Sequence, residues 1–318
     1  MYTPAKKQLW SGRIDHETNP ANFRFHQVVQ LKNMDEWKEY NELQREFSLI
    51  GFASDEGVRR NKGRQGAAKA PDKIRSMLAN LPYHMNNLGF IDIGNVNCIN
   101  RDLEAAQVEL GNYIAQLLKK HCAPVIVGGG HETLFGHYLG VREYIKEDAK
   151  LGIINIDAHF DLRDDDPPSS GTMFRQILEH DKQAGYLCIG IQPWGNTAAL
   201  FQDAAQYGCT YILAENVTMD DKTYQVIDSF AKQYDYMMLT ICMDVLASSS
   251  APGVSAPSPF GLEPKTVRDL IRFITAKQNL LSFDISEVNP EFDENDKTVR
   301  LAAYLIAEVM QGISKQWL

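Results

Sequence analysis

Short apolar runs rich in Ile and Val recur along the chain, with amphipathic stretches between them. Eight runs read as strands: FSLIGFA (47–53), GFIDIGNV (89–96), APVIVGGG (123–130), LGIINIDAH (151–159), GYLCIGIQ (185–192), CTYILAENV (209–217), YMMLTICMD (236–244) and LLSFDISEV (280–288). Several are apolar almost throughout rather than alternating, the pattern of strands covered on both faces, as in a parallel sheet. APDKIRSMLANL carries Pro71 near its start, where a helix loses nothing by a missing N–H. LEAAQVELGNYIAQLLKK places apolar residues at helical spacing and lysines in its last turn. Similar patterns follow near 132–147, 172–183, 220–233, 264–278 and 297–314. Strand alternating with helix predicts right-handed βαβ units and a doubly wound α/β sheet. No repeat, linker or low-complexity stretch divides the chain, so one domain over residues 1–318 is expected.

In such sheets ligands bind beyond the carboxyl ends of the strands. Four of those ends are unusual here. The third run leads through a triple glycine to His131, and the fourth into Asp157, His159 and Asp161. The seventh ends on Cys242 and Asp244, and the eighth on Glu287. A strand period of two would put 157, 159 and 161 on one face, and 242 with 244. Mixed carboxylate and imidazole donors suit a borderline-hard divalent ion, Mn2+ ahead of Fe2+, Co2+ or Zn2+. The donors outnumber what one tetrahedral site uses. Two ions about 3.5–4 Å apart, bridged by a carboxylate and a water, would employ them and activate that water.

Other features read as structure. The triple glycine lacks the lysine of a phosphate-binding loop. His137 lies six residues past His131 and points elsewhere on a helix. Asp164, Asp165 and Asp166 read as a solvated loop. Cys98, Cys122, Cys188 and Cys209 read as small buried apolar residues.

The net charge of −9 argues against nucleic acid or an anionic membrane as the main partner, and leaves a small anionic substrate open. Five cysteines without a CxxC pair fit a reducing cytosol. The opening MYTPAKKQLW lacks the apolar core of a secretion signal, and no apolar run reaches the roughly 18 residues that span a bilayer. A cytoplasmic protein acting on a small molecule is the expectation.

Taken together, GGGH (128–131), DAHFD (157–161), CMD followed by APGVSAP (242–257) and SEVNP (286–290) resemble the marks of the ureohydrolase family, which holds arginase, agmatinase and formimidoylglutamase. They stand in family order. The resemblance implies a three-layer α/β/α arginase-like fold with an eight-stranded parallel sheet, two Mn2+ and a homo-oligomer. It implies His131, Asp157, His159, Asp161 and Asp244 as metal ligands, and Glu287 as the acid that meets a cationic guanidinium or amidinium. It implies Ser170, in SSGTMFR, as a serine near the amino-acid end of the substrate. Two positions depart from the arginase pattern. Cys242 replaces a bridging aspartate, and Phe174 stands where arginase has a histidine thought to shuttle protons.

WSGRID (10–15), the stretch 51–71 and CMDVL with APGVSAPSPFGLEP resemble the formimidoylglutamase branch, cysteine included. That branch hydrolyses N-formimidoyl-L-glutamate to L-glutamate and formamide in histidine degradation. A dicarboxylate asks for arginines, which bind carboxylates as a bidentate fork. Arg59, Arg60 and Arg64 cluster on a glycine-rich loop, Arg163 follows Asp161 by two, and Arg175 follows the SG motif. All five are expected to hold the substrate, and Cys242 is expected beside a weaker second ion. Asp161 is expected to orient the attacking water. The alternatives are a ureohydrolase acting on agmatine, arginine or a guanidino acid, or a metal-poor family member without activity.

Overall fold

The structure is a computed structural model that describes residues 1–34, 37, 45–85 and 88–317. All eight apolar runs form strands and pair side by side, each parallel to its neighbours. They are β3 (Glu46–Ala53), β4 (Gly89–Asn97), β5 (Ala123–Val127), β6 (Leu151–Ile156), β7 (Ala184–Ile191), β8 (Thr210–Leu213), β9 (Tyr236–Cys242) and β10 (Leu280–Ser286). Two short strands, β1 (Tyr2–Thr3) and β2 (Gln30–Leu31), both pair with β4, β1 antiparallel and β2 parallel. Among the described residues the sheet therefore has ten strands, in the order β1-β4-β3-β5-β10-β9-β6-β7-β8 with β2 off that path, and not eight. Two residues carry no periodicity, so the pattern of apolar positions does not reveal such strands.

Side chains alternate across the sheet and feed two separate cores. Val125, Val127, Ile154, Ile156, Phe283 and Ile285 face helices Ala70–Leu78, Pro264–Ile274 and Lys297–Ser314. Ile126, Ile153 and Met238 face helices Leu103–Lys119, Thr133–Tyr144 and Met173–His180. Apolar runs without alternation are what burial on both faces requires, and the result is the expected three-layer α/β/α arrangement. A further helix, Ala198–Gln206, falls outside the periodic segments.

One ion pair ties the amino-terminal segment to the sheet. The Arg75 guanidinium is 1% exposed, and its Nε and Nη2 donate to Asp92 at 2.8 Å each. Nη1 donates to the Asn95 side-chain oxygen and Nη2 to the Gly94 carbonyl. Trp10, from the WSGRID stretch, donates its indole N–H to the same Asp92 at 2.7 Å. Arg75→Met would leave Asp92 buried and unpaired, so we expect a loss of about 3–5 kcal/mol in urea unfolding. A change within experimental scatter would refute this account of the pair.

Candidate metal centre

β5, β10, β9 and β6 lie next to one another in the centre of the sheet. Their carboxyl ends bring four distant segments together: His131, Glu287, Cys242 with Asp244, and Asp157 with His159 and Asp161. β6 stops at Ile156, so Asp157, His159 and Asp161 occupy the loop beyond it and do not share a strand face. What gathers them is the loop's own turn, with Asp161 in the left-handed region at φ 52°. Glu287 is left-handed too, at φ 68°, a conformation that is rare for this residue and concentrates at functional sites. The triple glycine packs rather than binds: a side chain on Gly129 would lie 1.8 Å from the Ser54 carbonyl oxygen.

The donor atoms meet closely. His131 Nδ1 lies 2.8 Å from Asp161 Oδ2 and 3.1 Å from Asp157 Oδ2. His159 Nδ1 lies 3.2 Å from Asp244 Oδ2 and 3.6 Å from Asp157 Oδ1. Cys242 Sγ lies 2.9 Å from Asp244 Oδ1. Glu287 Oε1 accepts the His131 backbone N–H at 2.8 Å. Two groups of three donors have ligand atoms within 4.8 Å of one another: His131, Asp157 and Cys242, and Asp157, His159 and Asp244. Asp157 belongs to both.

Burial dominates the electrostatics. It raises the carboxyls of Asp161 and Asp244, with Asp157 adding repulsion to each. It pushes Glu287 up to about 8, helped by Asp244 and Glu132. It pushes the Cys242 thiol well above its ordinary value, as do the surrounding carboxylates. For His131 and His159 burial disfavours the charged form, but the carboxylates outweigh it and hold both imidazoles well above their usual range. Asp157, despite burial, is lowered by the two histidines. Four carboxyl groups crowded around two imidazoles resist full ionisation in a dry pocket. Divalent cations would relieve that conflict, and oxygen and imidazole donors match Mn2+.

Above the donors opens a cavity of about 230 Å³. Arg163 and Ser170 line it, and so do Asn61, Asn196 and Ser255, which carry no pattern in the sequence that would mark them. The other arginines are engaged elsewhere. Arg59 forks onto Glu56 at 2.5 and 2.6 Å. Arg60 binds Glu56, Glu104 and the Pro168 carbonyl. Arg64 donates to the carbonyls of Val254 and Ser255. Arg175 pairs with Asp164, Glu179 and Asp203. Of the five arginines expected to hold the substrate, Arg163 lines the cavity; Arg59 and Arg60 lie on a short helix, Glu56–Arg60, and not on the expected loop, and Asn61 at the end of that helix lines the cavity too. The helical spacing of Glu56 from Arg59 and Arg60 was the available signal.

The arginase-family profile matches residues 45–312 of this chain. A formimidoylglutamase of Geobacillus sp. (strain WCH70) is 52% identical over 314 residues, covering 98% of this chain and 96% of that protein. This chain belongs to the arginase family. Among solved structures, Trypanosoma cruzi formiminoglutamase in its Mn2+2 form superposes with a TM-score of 0.79 at 25% identity, covering 92% of this chain and 98% of that one. Formimidoylglutamase from Bacillus subtilis superposes with a TM-score of 0.79 at 20% identity, covering 90% of this chain and 91% of that one, a likeness of fold.

Within the arginase family the two departures now have surroundings. Phe174 is fully buried and stacks on Tyr186, ring centroids 3.6 Å apart, and it does not line the cavity. It fills core, and a phenyl ring carries no proton to deliver. Cys242 does line the cavity and sits with His131 and Asp157.

Proposed function

We infer that the chain hydrolyses N-formimidoyl-L-glutamate to L-glutamate and formamide, using two Mn2+. The observation that carries the reading is a donor cluster in two groups sharing Asp157, under a cavity with a cationic rim. His131, Asp157, Asp161 and Cys242 would hold one ion, and Asp157, His159 and Asp244 the other. Bound there, the ions would supply Lewis acidity and lower the pKa of a bound water. The side chains do the rest. Glu287 meets the cationic amidinium, which favours the glutamate's ionised form. Asp161 accepts a hydrogen bond from the attacking water and fixes its approach. The water oxygen bonds to the formimidoyl carbon, the C–N bond to glutamate breaks, and the departing nitrogen leaves as an amine once protonated. Arg163, Ser170 and Asn61 receive the substrate's carboxylates. Agmatine has no carboxylate and would leave Arg163 without a role.

The test is chelation followed by return of single metals, with separate assays for formamide and urea. Mn2+ should restore formamide release from N-formimidoyl-L-glutamate. Full turnover by rigorously metal-free protein would end the reading, and urea release from arginine or agmatine would move it to another branch. A cytoplasmic setting and a homo-oligomer belong to the same reading, supported by five unpaired cysteines and by the family resemblance. No helix among the described residues is long and apolar enough to cross a membrane.

Cys242 makes the two ions unequal. A thiol offers one soft donor atom and is kept protonated by its surroundings, whereas Mn2+ prefers oxygen. The ion on the His131 side should therefore bind more weakly. Cys242→Asp should tighten it at least tenfold, since even outer ligand partners shift affinity by about 10- to 100-fold. Calorimetric titration decides: two equally tight ions in the unmodified protein would refute the asymmetry.

A further inference from the structure

β10 carries a row of polar residues on one face, Ser282, Asp284 and Ser286, all fully buried. Its other face, Phe283 and Ile285, is ordinary core. Buried polar groups are costly unless every one finds a partner. Here they do, and the partners lead to the metal centre. Asp284 stands opposite Thr240 of β9 in the parallel ladder. The Thr240 hydroxyl donates to Asp284 Oδ1 at 2.8 Å, and Ser286 donates to the same oxygen at 3.2 Å. Asp284 Oδ2 lies 2.7 Å from His137 Nδ1, and His137 Nε2 lies 2.6 Å from Ser282 Oγ. At the other end, His131 Nε2 lies 2.9 Å from Thr240 Oγ1.

The donors can be counted along this chain of contacts. A carboxylate only accepts, so Asp284 takes the Thr240 proton and a proton from His137 Nδ1. A hydroxyl has one proton, and Thr240 has given its own. Thr240 must then accept from His131, so His131 carries hydrogen on Nε2. We propose that Thr240, Asp284 and His137 are positioning residues that lock His131 in the Nε2–H form, leaving the Nδ1 lone pair aimed at the ion. This rests on the two-ion reading above. It also accounts for His137, which lies on the helix Thr133–Tyr144, is fully buried and takes no part in the cavity. The imidazole of His131 could turn by half a revolution only by breaking its bond to Thr240. An orienting partner on the far nitrogen of a ligating histidine is worth about 10- to 100-fold in metal affinity.

The test uses Thr240→Val, which keeps the shape and removes the hydroxyl, and Thr240→Ser, which restores it. Each full-length protein is stripped and titrated with Mn2+ by calorimetry, and its metal-free thermal midpoint is recorded. Thr240→Val should weaken the ion on the His131 side about 10- to 100-fold, leave the other ion near its original affinity, lower the metal-free thermal midpoint because Asp284 Oδ1 and His131 Nε2 each lose a buried partner, and be rescued in both respects by Thr240→Ser. Wild-type affinities in folded Thr240→Val would overturn the proposal while leaving the two-ion centre standing. A wild-type protein that binds no Mn2+ would overturn the centre and the proposal together. Independently of any variant, nitrogen NMR of histidine-labelled wild-type protein loaded with diamagnetic Zn2+ should show the proton of His131 on Nε2. A proton on Nδ1 refutes the arrangement whatever the variants do.

Discussion

Asp157→Asn is expected to abolish tight Mn2+ binding at both positions together. Asp157 alone belongs to both donor groups, with one oxygen toward His131 and the other toward His159. An amide keeps a single neutral acceptor where two ions would share a charged carboxylate, so it cannot bridge them. Removing any other donor costs one ion; removing this one costs both. The loss should exceed the roughly 10- to 100-fold change that outer ligand partners produce, and turnover should fall with it. The fold should persist. The strand leading into Asp157 is buried on both faces by apolar side chains. The amide oxygen of the variant could still accept the His159 backbone N–H that Asp157 Oδ1 accepts at 2.8 Å. Metal analysis of the purified variant and its circular dichroism check the two halves of this statement. Retention of even one tightly held ion would show that Asp157 is not shared.

How far the sequence shows this site depends on what each residue does. Most of the eight strands are legible because a strand buried on both faces is apolar along most of its length. The ligand segments are legible for the same reason: DAHFD and CMD interrupt apolar runs at the point where the chain leaves the sheet. Their geometry is not. β6 ends before Asp157, and the convergence of its loop depends on a left-handed turn at Asp161 that no period of two describes. That β5, β10, β9 and β6 are neighbours is a fact of strand order, and strand order is absent from local pattern. His137 illustrates the limit. Its offset of six from His131 says that the two point apart, and they do not touch. Yet β9 and β10 supply Thr240 and Asp284 between them, and the separation becomes a connection. The pairing of the arginines is hidden for another reason. Charge along the sequence shows cations but not their partners, and Glu56, Glu104 and Asp203 occupy three that the run RRNKGR and Arg175 offer.

Arg163→Ala is expected to raise KM for N-formimidoyl-L-glutamate by about 10- to 150-fold, the equivalent of about 1.5–3 kcal/mol for a hydrogen bond to a charged group. Arg163 is exposed at the cavity wall, and no hydrogen bond or ion pair of its guanidinium is found among the described residues. Its backbone is nonetheless fixed: the Arg163 N–H donates to the Gly171 carbonyl at 2.9 Å. Gly171 lets the side chain lie close, since a side chain there would come within 2.9 Å of Arg163 Cδ. Beside it, Asn61 donates to Ser170 Oγ at 3.3 Å, so three groups able to meet a carboxylate share one wall. A contact that binds substrate and transition state alike moves KM and spares kcat. Arg59→Ala and Arg175→Ala should leave KM near its original value, because those guanidiniums already hold carboxylates of the protein. Steady-state kinetics on the three variants separates the cases. An unchanged KM in Arg163→Ala with a raised KM in Arg59→Ala would return the substrate to the cluster of basic residues. Arg163→Lys refines the result: it keeps the charge but not the planar fork, so it should fall between the wild type and Arg163→Ala if the carboxylate is gripped by two parallel hydrogen bonds.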